Sequence, residues 1–182
     1  MRWLGLCLAL AACVPAIPQR LAVGEFLVAT PAIHDADFAQ SVILLIRYDQ
    51  QAADGLFVNR PSNVPVSDVY PDLKNDPVNF YIGGPIAIGV HALLRSRTAP
   101  NPSRPLFGDV HLINNRPLLK KLIIAGTPAT TFRVYAGSCG WTTPQLQDEL
   151  RRGLWRVVPA NAAAVFDPHP ETLWQRLTAA RN

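Results

Sequence analysis

Seventeen of the 182 residues are proline, well above the roughly 5% of an average chain. Together with glycine they cut the sequence into apolar runs of only a few residues. Proline has a fixed φ and no N–H, so each one ends or bends the element it meets. Such punctuation predicts many short elements joined by tight turns within one domain, a reading that the length of the chain suits.

Apolar runs at 26–29 and 42–46 read as buried strands. Asp54-Gly55 is a turn dipeptide, which places a hairpin between the second run and a strand at 56–58. Further strands are expected at 78–82, 110–113, 131–135 and 155–158. Asn115 can cap a helix with Pro117 in its first turn, Leu118, Leu119 and Leu122 inward, and Gly126 as its stop. Thr143-Pro144 opens a second helix with Leu146, Leu150 and Leu154 along one face. Glu171, after Pro170, begins a third that buries Leu173, Trp174 and Leu177. Strands in adjacent runs with helices inserted irregularly indicate an α+β fold rather than a doubly wound parallel sheet.

Only 16% of the residues are charged while 49% are hydrophobic, against roughly 25% charged in an ordinary soluble domain. The shortage points to extra buried surface, such as an oligomer contact or a membrane-adjacent face. The net charge is +4, and the basic excess is almost all arginine. Its densest set, Arg151, Arg152 and Arg156, sits near one expected helix end, where cations complement the helix dipole. Nucleic-acid binders instead carry runs or stripes that neutralise several phosphates together.

The N-terminus reads as an export signal. Met1-Arg2 is followed by an apolar stretch over 3–12, too short to span a bilayer, which needs about 20 residues in a helix. It closes with Leu10-Ala11-Ala12-Cys13, similar to a bacterial lipobox, in which small residues admit the chain to a peptidase and the cysteine thiol takes a diacylglyceryl group. We expect a lipoprotein signal peptide over 1–12, a tether over 13–23 and the domain over 24–182. The alternative is a misassigned start codon and a cytoplasmic protein. Cys7 would leave with the leader and Cys13 would carry lipid, so Cys139 would remain as the only free thiol.

Several constellations invite a chemical reading. Ala136-Gly137-Ser138-Cys139-Gly140 stands between an expected strand and an expected helix, the setting of a nucleophile elbow. Its partners would be His169 and Asp167, two residues apart in a proline-bounded turn and poorly placed for a triad. Cys139 could be a thiol sensitised by the following helix, or a small apolar side chain packed under Trp141. His34-Asp35-Ala36-Asp37 cannot close a metal site without distant ligands, and Asp35 or Asp37 more naturally caps a turn leading to Phe38. His91 and His111 stand alone. Gly83-Gly84-Pro85 lacks the Lys-Ser/Thr of a phosphate loop.

Taken together, these segments resemble the bacterial YqgE/AlgH family. Gly24-x-Phe26-Leu27-Val28-Ala29-Thr30-Pro31 with Asp35, Phe38 and Ser41-Val42 is similar to its first block. Gly55-Leu56-Phe57-Val58-Asn59-Arg60-Pro61 is similar to the second, and Gly83-Gly84-Pro85-Ile86 with Leu94-Arg95-Ser96 to the third. Gly140-Trp141, Gln145-Leu146, Glu149-Leu150 and Trp155 are similar to the fourth. The resemblance implies a bifurcated, mostly antiparallel β-sheet curled into a pseudo-barrel with helices packed outside. It brings no established activity or cofactor, so no catalytic residue is carried over, and the family's transcriptional-regulator label rests on thin grounds. Pro144 and Ser138-Cys139 depart from the family pattern.

The expectation is therefore a non-catalytic binding or accessory domain, lipid-anchored at Cys13 in the bacterial cell envelope, without cofactor or metal. Its partners would be the membrane and an unidentified protein; an oligomer is open, and nucleic acid is excluded if the chain is exported. Candidate binding loops carry Asp35, Asn59, Gly83, Gly84, Cys139, Trp141 and Gln145. The alternatives are a cytoplasmic transcriptional regulator and a Ser/Cys hydrolase or redox-sensitive thiol protein.

Overall fold

The computed structural model describes residues 21–73 and 77–180; the expected leader and Cys13 lie outside the described residues. Ten strands form one sheet: β1 Glu25–Ala29, β2 Val42–Tyr48, β3 Ala52–Phe57, β4 Pro61–Pro65, β5 Asn79–Ile82, β6 Ile86–Arg95, β7 Arg104–Phe107, β8 Val110–Ile113, β9 Phe132–Thr142 and β10 Trp155–Pro159. The main path runs β10-β1-β2-β3-β9-β6-β8-β7 and is antiparallel throughout. Arg104 of β7 donates to the carbonyl of Ile46 in β2, so the far end of the sheet curls back and closes a half-barrel. Among the described residues four α-helices pack around it: α1 Arg116–Ile124, α2 Thr143–Arg151, α3 Ala162–Val165 and α4 Leu173–Ala179.

The bifurcation lies on β9. One edge of this strand pairs with β6. The other is shared, with β5 running parallel beside Val134–Ala136 and β3 antiparallel beside Cys139–Thr142. Where the two part, Gly83 donates its N–H to Ala136 at 2.7 Å and accepts from Phe57 N at 2.9 Å. The fork needs chains closer than side chains allow. A Cβ on Gly83 would stand 2.1 Å from the Gly137 carbonyl oxygen, and one on Gly84 would stand 2.2 Å from the carbonyl carbon of Ser138. Gly137 takes φ +74 beside them, in the region that only glycine enters at little cost.

Both faces of β1 and of β2 as far as Ile46 are buried, which explains their apolar runs. Phe26, Val28, Val42, Leu44, Ile46, Leu56 and Val58 share a cluster with Leu93, Leu112 and Tyr135 from the opposite wall, and α3 and Leu173 of α4 close it. The alternate residues Leu27, Ile43, Leu45 and Phe57 pack with Cys139, Trp141 and Leu146 of α2. Leu21, within the segment expected as tether, is buried in that second cluster. A third cluster lies under α1, on Leu119 and Ile123.

Caps form where the sequence places them or one residue away. Asn115 accepts from Leu118 N at 2.9 Å, and Thr142 caps α2, which opens at Thr143-Pro144 as expected, by accepting from Gln145 N at 3.2 Å. Leu154 lies beyond the end of α2, because Gly153 at φ +71 stops the helix first. Arg151 and Arg152 both reach Asp148, at 3.0 and 3.8 Å, while Arg156 donates to the carbonyl of Leu177.

Two expectations are corrected. The β2–β3 hairpin forms, but Asp54-Gly55 lies inside β3, and the turn is at Asp49. Asp49 Oδ1 accepts from Gln51 N at 2.9 Å and Ala52 N at 3.0 Å, bonds that fix the reversal before the glycine is reached. The stretch from Ala136 to Trp141 is likewise no turn, because pairing to β3 and β6 carries β9 straight through it.

The turn carries its own pH dependence. The N–H groups of Gln51 and Ala52, with Arg47 Nε at 2.7 Å, hold the Asp49 carboxyl down to about 2, below the roughly 3.9 of an unfolded chain. A folded value below the unfolded one stabilises the fold above pH ~4, and that contribution is lost as pH falls toward the folded value. Carboxyl NMR titration should give Asp49 a midpoint near 2, and Asp49→Asn should flatten the acid limb of stability in that window.

Candidate functional site

The loop after β1 is tied to the loop after α2. Thr30 N donates to Leu154 O at 2.9 Å and Thr30 Oγ1 to Gly153 O at 2.7 Å. That link brings residues 33–38 over the last strand turns of β9 and the start of β10, and a cleft of about 320 Å³ lies between them. Phe38, Trp141 and Trp155 form its aromatic wall. The Phe38 ring centroid is 6.0 Å from each indole, and the two indoles are 6.1 Å apart at 88°. Ile33 and Leu154 add apolar surface, Asp35 and Gln145 stand exposed at the rim, and Gly140 opens the floor.

One carboxylate organises this wall. Glu149 Oε2 accepts from Trp141 Nε1 at 3.0 Å and from Trp155 Nε1 at 2.8 Å, and Oε1 accepts from Gln145 Nε2 at 3.0 Å. The indoles are only 6% and 5% exposed, so their N–H groups need an internal acceptor, and Glu149 serves both. Gln145 and Glu149 meet because they are four residues apart on α2. Asp35 Oδ1 accepts from Asp37 N at 2.8 Å, in a turn ending at Phe38 as the sequence indicates.

The nominated residues therefore divide. Asp35, Trp141 and Gln145 meet at the cleft. Asn59 is a buried brace that accepts from Val42 N at 2.9 Å and donates to Gln40 O at 2.9 Å. Gly83 and Gly84 sit at the fork, where the chain's own backbone occupies the space beside them. Cys139 and Trp141 stand in a strand rather than a loop. Phe38, Glu149 and Trp155 were not nominated. The signal available for Glu149 was its i,i+4 spacing from Gln145 between two tryptophans.

Cys139 is fully buried in the cluster with Trp141, its Sγ 3.7 Å from Gly83 O. Burial pushes the thiol well above its ordinary range, and the Arg60 charge offsets only part of this; Cys139 packs with Trp141 as the small apolar side chain that the sequence also offers, and β9 still separates it from α2. We predict that iodoacetamide at pH 8 leaves the Cys139 peptide unmodified in the folded chain and alkylates it in urea, read by mass spectrometry. Ser138 is held in the β6–β9 ladder opposite Ile86. It shares a groove with His91 and Asp54, but His91 Nδ1 is 2.8 Å from Asn114 Oδ1 and Asp54 pairs with Arg47 at 3.5 Å. Asp167 is engaged by Arg176 and by His169 N. No hydrogen bond links Ser138 to a histidine among the described residues.

Among the described residues no three His, Cys, Asp or Glu side chains group to hold a metal ion, and no helix is long and apolar enough to cross a membrane.

The AlgH-like family profile matches residues 26–181. A UPF0301 protein of Streptomyces avermitilis is 35% identical over 167 residues, covering 85% of this chain and 83% of the relative. UPF0301 protein AlgH of Pseudomonas aeruginosa is 32% identical over 164 residues, covering 86% and 85%. The solution structure of AlgH from that organism superposes with a TM-score of 0.71 at 30% identity, over 92% of this chain and 90% of that one. A crystal structure of a Corynebacterium diphtheriae protein gives 0.73 at 26% identity, over 89% and 88%.

Proposed function

The chain belongs to the AlgH-like family, and we propose that it is a non-catalytic binding or accessory domain whose ligand seat is the Trp141–Trp155 cleft. One observation carries this reading. The first and fourth motif blocks, far apart in sequence, converge on the cleft: Asp35 and Phe38 from one, Gly140, Trp141, Gln145, Glu149 and Trp155 from the other. A concavity of about 320 Å³, apolar with a few placed polar groups, has the make-up of a small-ligand site. The unlinked Ser138, His91 and Asp54 favour binding over hydrolysis.

The test uses the indole N–H signals of the full chain, with Trp174 as internal reference because its Nε1 is bonded to Ala29 O at 2.7 Å and does not line the cleft. The small-molecule fraction of a bacterial extract should shift Trp141 and Trp155 and leave Trp174 in place. An extract that moves none of them, or all three alike, would overturn the reading.

The same proposal holds the domain at the envelope through a lipid on Cys13, supported by the Leu10-Ala11-Ala12-Cys13 sequence. A fatty-acid probe should label the wild type and not Cys13→Ser; equal labelling of both sinks the anchor. Mass spectrometry of the native N-terminus separates it from the cytoplasmic regulator, which would start near Val23.

A further inference from the structure

We infer that the ligand of this cleft is a small organic cation, an alkylammonium head held between Asp35 and Glu149 against Phe38, Trp141 and Trp155. The inference rests on the cleft being the ligand seat and adds the chemistry of what enters it.

The charges around the cleft are one-sided. Two carboxylates line it and no lysine, arginine or histidine does. Most other acids of the domain meet a base: Asp49, Asp54, Asp72, Asp109, Asp148 and Asp167 are all ion-paired. Among the described residues Asp35 and Glu149 form no such pair, and neither do Glu25, Asp37 and Asp68, which lie outside the cleft lining. The bases of α2 turn to Asp148, and Arg60 is engaged with Ala39 O and the Phe57 ring, 4.2 Å from its guanidinium carbon.

Glu149 shows why this matters. Its three donors are two indoles and an amide, all neutral. They fill three of its roughly four lone-pair positions and leave its charge uncompensated beside an apolar wall, where Coulomb interactions are stronger than in bulk water. A cation entering the cleft would supply the missing charge, and the half-buried Phe38 ring adds to the attraction. The indoles are already anchored through their N–H groups, so little side-chain freedom is lost on binding. An anion would face two carboxylates and no base.

The test titrates the full chain with tetramethylammonium, choline and n-butylammonium chlorides at constant ionic strength, beside 3,3-dimethyl-1-butanol, the uncharged isostere of choline. The cations should shift the Trp141 and Trp155 indole signals with about tenfold tighter affinity than the alcohol, leaving Trp174 unmoved. Asp35→Asn keeps an oxygen for the Asp37 N–H and so preserves the turn. It should weaken cation binding about threefold and leave the alcohol unchanged. Equal binding of alcohol and cations, no shift with any cation, or no effect of Asp35→Asn would overturn the inference. If the extract shifts the two indoles while the cations do not, the ligand seat stands and its cationic chemistry falls. If neither shifts them, both fall.

Discussion

Gly84→Ala should destabilise the protein by at least about 3 kcal/mol, at or beyond the upper end of ordinary overpacking costs. The added Cβ would lie 2.2 and 2.3 Å from the Ser138 carbonyl carbon and oxygen and 2.4 Å from Cys139 N. These are backbone atoms of β9, which is paired with β6 and β3 on either side of this point. No rotamer change relieves such a clash; the fork has to open, and the pairing around Gly83 opens with it. Gly108→Ala is the control. Unlike Gly84 it stands at positive φ, but nothing lies within 4 Å of its Cβ, so its cost should stay near the roughly 1–2 kcal/mol of a left-handed residue. Urea midpoints followed by far-UV circular dichroism compare the two, with soluble-fraction yield reporting a variant that does not fold. Equal losses for Gly84→Ala and Gly108→Ala would refute the fork account.

Glu149→Ala should cost about 2–4 kcal/mol, because a buried donor left without an acceptor costs roughly 1–3 kcal/mol and two indole N–H groups lose theirs. Glu149→Gln keeps one acceptor oxygen, so its loss should be about half as large. The near-UV circular dichroism of the tryptophans should weaken in the alanine variant as the 88° arrangement of the two rings relaxes. An alanine variant within about 0.5 kcal/mol of wild type, the range of ordinary surface substitutions, would mean that the wall stands without its carboxylate. The two predictions address different layers: Gly84 governs whether the sheet can bifurcate, Glu149 whether the cleft beside it has a defined shape.

Much of the local structure was legible in the residues. The runs at 26–29 and 42–46 are strands because apolar side chains occupy both faces, and Asn115 and Gly126 bound α1 as capping chemistry predicts. The strands β4, β6 and β7 were not legible. β4 and β7 contain proline and sit at sheet edges, so neither apolar run nor clean alternation marks them; β6 is apolar over most of its length, but Gly89 interrupts the run and its first half is exposed. Asp54-Gly55 misled because a turn dipeptide states a conformational preference, whereas the carboxylate of Asp49 supplies hydrogen bonds that choose the position. Ser138 misled similarly: Gly-Ser-Cys-Gly reads as a turn until two neighbouring strands claim its backbone.

The sequence by itself determined that this chain would fold from short elements in an α+β arrangement, and its ordered motif blocks pointed to its family. Periodicity, caps and proline stops act over a few residues, and a few residues suffice to read them. Only the tertiary structure decided what the motif residues do. It set Asn59, Gly83 and Gly84 to holding the sheet together, buried Cys139, and joined Asp35 and Phe38 to a helix more than a hundred positions away to make a cleft. That division has a physical cause. Whether a carboxylate finds a base or two indoles, and whether a glycine faces a ligand or a neighbouring backbone, depends on which chains cross, and that is settled by burial of the whole sheet rather than by local preference.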